Sequence, residues 1–371
     1  MAAIHVFWHD GMLKHEPLHG IFDSLSGAGR LLAVLDQHPE NATRVLNIKS
    51  ILEKGPISPR IVWHQGRMAT IQELHLFHDP DYIQKLIDAD KAGGTTIFAP
   101  GTCFNPGSWE AALLAAGSTL DAVKHVLEGK SNLAYALVRP PGHHAQPSRA
   151  DGYCFLNNAG LAVQFALSSA SVKRVAVVDI DVHYGNGTAA GFYSRDDVLT
   201  ISLHMDHGPW DESHSAEFGQ PEEAGTGKGV GYNVNIPLPN GTGDRGYQHA
   251  MEKLVVPRLE SFEPELIVVT MGQDSSAFDP NGRQCLTMKG YRVLGRMIRE
   301  QAEKHSSGRM VLVQEGGYQP CYTAFCVHAT LEGVAGVDEA LLDDPIAYYP
   351  EDETYAILKV AELEKRLHQL G

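Results

Sequence analysis

The sequence predicts an α/β fold, a doubly wound parallel sheet with helices on both faces, and three observations lead there. Short β-branched runs alternate with helical stretches over most of the 371 residues. Those runs are continuously apolar in character, with few polar interruptions, as strands buried on both faces are. Several end in dense polar clusters, and an open α/β sheet binds ligands outside the carboxyl ends of its strands.

The elements follow in chain order. Residues 4–8, 133–138, 175–180, 198–203, 266–270 and 310–314 read as buried strands. Residues 108–127 carry apolar positions at helical spacing, with Ser108 as candidate N-cap and Gly129 just past the end. Residues 158–168, 244–259 and 287–304 have the same character, and an acidic stretch, 338–353, precedes a terminal helix near 355–370. The least regular segments are 11–38, 93–106 and 204–231, and loops of that length are usually functional. There is no internal repeat, low-complexity tract or linker.

Composition excludes several classes. Thirty Lys and Arg against 45 Asp and Glu give a net charge of −15, which opposes a general nucleic-acid surface and is compatible with cationic substrates. The five cysteines, Cys103, Cys154, Cys285, Cys321 and Cys326, are scattered without a CxxC pair, so a reducing cytoplasm is expected. No basic start precedes an apolar signal core, and no apolar run approaches the ~20 residues of a membrane span.

The chemistry lies at the strand ends. After 133–138 comes Arg139-Pro-Pro-Gly-His143-His144. At the end of 175–180 comes Asp179-Ile-Asp181-Val-His183-Tyr-Gly-Asn186-Gly-Thr188; after 266–270, Met-Gly-Gln-Asp274; after 310–314, Glu315-Gly-Gly-Tyr318. Taken singly, each has an ordinary explanation: a strand-end Asp is commonly a cap, and a loop His pair is commonly solvated. Together they form a coherent set. Asp181, His183 and Asp274 make a catalytic zinc shell with an open position. Zinc there would polarise a substrate carbonyl, a neighbouring His would move protons, and the Tyr318 hydroxyl would donate to a developing oxyanion.

These motifs resemble the arginase/deacetylase fold and, within it, class II histone deacetylases, in particular the bacterial histone deacetylase-like amidohydrolases. The resemblance runs from His38-Pro39-Glu40 to Glu315-Gly316-Gly317-Tyr318 and includes Gly-x-Asp274-x-x-x-x-Asp279-Pro, so it implies a single catalytic domain over 1–371. It implies zinc on Asp181, His183 and Asp274, with His144 as general base and then acid. His143 becomes an electrostatic partner oriented by Asp179, and Asn186 contacts His144 where class I relatives carry Asp. Tyr318 polarises the acyl carbonyl, and relatives with His there are poor deacetylases. Gly152 and Tyr153 line an acyl-lysine channel, with Trp210 the candidate aromatic opposite. The resemblance also implies potassium on Asp179, Ser202 and the carbonyls of Asp181, His183 and Leu203. A second potassium site would use Phe192, Val198 and Tyr232.

Departures from the family pattern bear on the substrate. Gln273 stands where Phe usually precedes the last metal Asp, and the 94–101 loop lacks the rim acid that holds a peptide backbone. Lys289 falls near the gatekeeper Glu of polyamine deacetylases, and a cation there would repel a distal ammonium. The expected activity is hydrolysis of acylated lysine or an acylated small amine, with no nucleic acid and no membrane. Acetylpolyamine deacetylation is the nearest alternative, followed by a ureohydrolase and a non-catalytic acyl-lysine binder. Long loops near the mouth offer a surface for a homo-oligomer.

Overall fold

A computed structural model describes residues 3–17, 33, 34, 36–169, 171–206, 218–346 and 352–370. Ten strands occur among them: β1 (Ile4–Trp8), β2 (Ile61–Gln65), β3 (Thr96–Ala99), β4 (Thr102–Phe104), β5 (Leu133–Ala136), β6 (Val175–Asp179), β7 (Val198–Met205), β8 (Asn233–Leu238), β9 (Leu266–Met271) and β10 (Met310–Gln314). Eight form one sheet in the order β2-β1-β5-β10-β9-β6-β7-β8. Every pairing in it is parallel. The central strands β5, β6, β9 and β10 are buried at every position, as the continuous apolar runs require.

The helix Ser108–Leu127 packs on β1, β5 and β10, and Asn158–Ser168 packs on β6 and β9. In another group, Pro320–Val334 packs against both Thr43–Lys54 and Met288–His305. The terminal helix Thr354–Leu370 lies against β8. Of the described helices, none is long and apolar enough to cross a membrane.

Most sequence-read elements hold to within two residues. Ser108 differs: it is the first helical residue, and Gly107 occupies the capping position. The Ser108 hydroxyl instead accepts the Asn105 amide at 2.9 Å and bonds His15 Nδ1 at 2.8 Å. The helix read over 244–259 runs to Phe262, with a π-helical turn at Met251–Val255. Edge strands β2 and β8 are additional. One is only partly buried, and the other contains Pro237, which an edge tolerates because a donor can be lost there.

Candidate metal centre and active site

Strands β5, β10, β9 and β6 are consecutive across the sheet, so the segments leaving their carboxyl ends converge. The four polar clusters belong to these four strands. Asp179 ends β6, Asp181 and His183 follow it, Asp274 follows β9, and Tyr318 follows β10.

Asp181, His183 and Asp274 are buried, with one ligand atom of each within 4.8 Å of the others. His183 Nδ1 lies 3.1 Å from Asp181 Oδ1 and 3.2 Å from Asp274 Oδ2. Asp274 Oδ2 is buried without a proper hydrogen bond, although its other oxygen accepts the Val182 amide at 2.9 Å. Burial and the neighbouring Asp181 lift Asp274 to about 6. Two buried carboxylates and an imidazole facing one point are a donor set that a divalent cation satisfies. Gly316 belongs to the same cradle: its amide donates to Asp181 Oδ2 at 2.9 Å. A Cβ there would stand 2.1 Å from Asp274 Oδ2 and 2.7 Å from Asp181 Oδ2, so only glycine fits.

The adjacent histidines have unlike supports. His143 Nδ1 bonds Asp179 Oδ2 at 3.0 Å, and its Nε2 lies 3.6 Å from Asp181 Oδ1. Burial alone would lower its pKa, but Asp181 and Asp179 hold it well above the usual histidine range. His144 Nδ1 bonds Asn186 Oδ1 at 2.7 Å, and Asn186 Nδ2 donates to Asp151 at 3.2 Å. Burial and then the charges of His143 and His183 push His144 well below that range. One imidazole is therefore poised as a cation and the other as a neutral base. Gly152, at φ 49°, lies against His144, and a Cβ there would come within 2.2 Å of the ring.

The Tyr318 ring meets that of Tyr153 edge-on at 5.8 Å and that of His183 at 6.5 Å. Tyr153 adopts φ 68°, a left-handed conformation that a side chain makes costly, and its amide donates to Thr102 at 2.9 Å. Gly152 therefore lies beside His144, and Tyr153 beside Tyr318, which in turn neighbours His183. Asp179 and Ser202 face one another in the β6–β7 register, with Leu203 next, and Ser202 Oγ bonds His204 Nδ1 at 2.9 Å. Val198 begins β7 and Phe192 ends its helix, while the Tyr232 carbonyl accepts the Thr200 amide at 2.9 Å. Gln273 is buried and its Oε1 accepts from Gln314 Nε2 at 2.9 Å. Lys289 is exposed on the first turn of its helix; burial raises the pKa of Asp244, and the Lys289 charge opposes that rise in small part. Trp210 lies outside the described residues.

Sequence reasoning passed over the scaffold beneath this site. Fully buried Glu40 accepts from Arg44 at 3.0 Å and Arg139 at 2.8 Å. Arg44 also donates to the Glu315 and Gly317 carbonyls at 3.2 and 3.1 Å, and its guanidinium lies 4.9 Å from the Tyr318 ring centre. Glu315 Oε2 accepts the amides of Gly142 and His143 at 2.6 and 3.1 Å, which joins the β10 cluster to the histidine loop. Arg139, Glu315 and Glu40 stand inside the quoted motifs, so a signal existed; Arg44, a single Arg in an unread helix, offered none.

A parallel sheet whose central strand ends converge on buried carboxylates that could hold a metal and on a histidine pair defines the class, a hydrolase of the arginase/deacetylase fold. A histone deacetylase domain is matched over residues 38–334. Histone deacetylase 8 of Arabidopsis thaliana is 58% identical over 361 residues, covering 97% of this chain and 95% of its own length. A histone deacetylase-like amidohydrolase of Pseudomonas aeruginosa is 40% identical over 306 residues, with 82% and 79% covered. The crystal structure of the HDA15 HD domain superposes with a TM-score of 0.83 at 29% identity, covering 99% of this chain and 97% of that one. The chain belongs to the histone deacetylase family, and it is a hydrolase of the deacetylase type.

Proposed function

We propose that this protein is a zinc-dependent deacylase that cleaves the amide of an N-acylated lysine or a similar acylated amine. The observation that carries the reading is the unequal histidine pair beside the triad: His143 rests on a carboxylate, Asp179, and His144 on an amide, Asn186. Asp181, His183 and Asp274 would hold the zinc, which when bound polarises the acyl carbonyl and acidifies water. His144, its Nδ1 engaged by Asn186, takes the proton of the attacking water through Nε2 and returns it to the departing amine. His143, charged against Asp179, balances the anionic transition state without giving up its proton. Tyr318 donates its hydroxyl proton in a hydrogen bond to the acyl oxygen as that oxygen gains charge. Gly152 and Tyr153 border the substrate chain.

Potassium on Asp179, Ser202 and the carbonyls of Asp181, His183 and Leu203 is part of this proposal. Its support is the Asp179–Ser202 register and the oxygen-rich strand end, the donors a hard cation takes. The outer site at Phe192, Val198 and Tyr232 is proposed from the family resemblance alone.

A substrate comparison tests the reading. Zinc-loaded protein is expected to hydrolyse an acetyl-lysine aminocoumarin amide, to prefer it over acetylspermidine, and to lose activity to a chelator. Lys289→Glu should move the preference toward acetylspermidine, less so at high salt, because screening weakens an exposed charge. No turnover of any acylated amine would defeat the proposal. An unchanged ratio in Lys289→Glu would remove Lys289 from the channel mouth and revive the polyamine alternative.

A further inference from the structure

At the β2–β1 edge of the sheet, outside the convergent strand ends, three more imidazoles meet. His5 lies on β1, His64 on β2 and His125 in the last turn of the helix packed over them. His5 Nδ1 and His64 Nε2 are 2.8 Å apart, and one nitrogen from each of the three rings lies within 4.8 Å of the others. His125 Nε2 is shielded from solvent and has no hydrogen-bond partner. Phe7 supplies a floor, stacked on His64 at 4.7 Å and edge-on to His125 at 5.6 Å, so the rings are held in place by packing.

From this geometry we infer a second divalent-metal site, of the zinc, copper or nickel class, formed by His5, His64 and His125. Three neutral nitrogens without a carboxylate suit late first-row ions and not magnesium or calcium. Tetrahedral zinc with bonds of about 2.0–2.1 Å sets its nitrogens about 3.3 Å apart, so the His5–His64 pair opens by only about 0.5 Å. Burial lowers all three pKa values, His125 to about 4, so each ring is available as a neutral ligand at pH 7. The helix ends within the same turn, and its dipole favours a cation there. Lys130 opposes this from nearby, but it is paired with Glu128 at 2.7 Å. A bound ion would tie the edge pair β2–β1 to the helix that covers it.

Zinc titration of the zinc-loaded, full-length protein against a chromophoric chelator tests the site. Wild type is expected to take up an equivalent beyond the catalytic one. His64→Ala and His125→Ala should bind that equivalent at least about tenfold more weakly, since a lost ligand costs no less than a lost supporting contact. Their deacetylase rates should match wild type, while Asp274→Ala should keep the extra equivalent. In wild type, zinc should also protect these histidines from ethoxyformylation, read by peptide mass, which needs no variant to fold. Absence of the extra equivalent, equal uptake by His64→Ala, or no protection would overturn the assignment.

Discussion

Asp279 holds the turn that carries Tyr318. Its Oδ2 accepts the Tyr318 amide at 2.6 Å and the Gln319 amide at 3.3 Å, while Oδ1 accepts those of Asn281 and Gly282 at 2.8 and 3.3 Å. One carboxylate therefore fastens the loop after β9 to the loop after β10. It is the second acid of the Gly-x-Asp-x-x-x-x-Asp-Pro motif, five residues beyond Asp274.

Asp279→Asn replaces one accepting oxygen with a donor that faces amide donors, so the Tyr318 turn should shift. Misplacing a reacting group by about 1 Å costs on the order of 10²-fold in rate. We expect kcat to fall by roughly that factor with bound metal retained, as measured by turnover and metal analysis of one preparation. A wild-type kcat would mean the turn holds without this carboxylate.

The roles proposed for His144 and Tyr318 separate from metal binding. His144→Ala and Tyr318→Phe should each lower turnover by about 10²-fold or more, the scale of a lost general base or oxyanion donor, while metal content stays at wild type. Tyr318→Phe also keeps the ring between Arg44 and Tyr153, so its defect should fall on kcat with stability unchanged. If Tyr318→Phe turns over at the wild-type rate, the hydroxyl has no part in the reaction.

Parts of this architecture were legible in the sequence and parts were not, for physical reasons. Ile4–Trp8 and Met310–Gln314 were legible with correct bounds because their mostly apolar, β-branched and aromatic runs are those of buried strands, His5 and Gln314 being the polar exceptions. Ile61–Gln65 was passed over because it is an edge strand only partly buried, and Asn233–Leu238 because Asn233, Asn235 and Pro237 interrupt its apolar run although every position is buried. Asp181, His183 and Asp274 stood out because polar clusters at the ends of apolar strands need a cause. The Glu40–Arg139 pair did not, since its members are 99 residues apart and only folding brings them together. The His5–His64–His125 cluster was invisible for the same reason: it needs the β1–β2 register and the helix above it.

Glu40 yields a stability prediction with a definite sign. Burial alone would raise its pKa, but Arg139, His15 and Arg44 hold it well below the usual carboxylate range. A depressed folded pKa gives stability that is complete above the unfolded value near 4.5 and is lost as pH falls through the folded one. Glu40→Gln strands two buried guanidinium groups and should cost about 3–5 kcal/mol at pH 7. In urea denaturation the gap between variant and wild type should narrow once pH drops below about 4.5. A gap that stays constant to pH 3 would show that Glu40 does not act through its charge.

The central claim is that Asp181, His183 and Asp274 hold one catalytic metal ion. Asp274 offers the sharpest test, because its buried Oδ2 lacks a well-aligned hydrogen bond and faces His183 Nδ1 at 3.2 Å, the surroundings of a metal-ligating oxygen. Zinc content and acetyl-lysine amide hydrolysis should be measured on the same preparation of Asp274→Ala. Because losing one of three protein ligands cripples such a site, the metal bound there and the activity should disappear together. An Asp274→Ala protein that retains catalytic zinc and hydrolyses the amide at the wild-type rate would contradict the account.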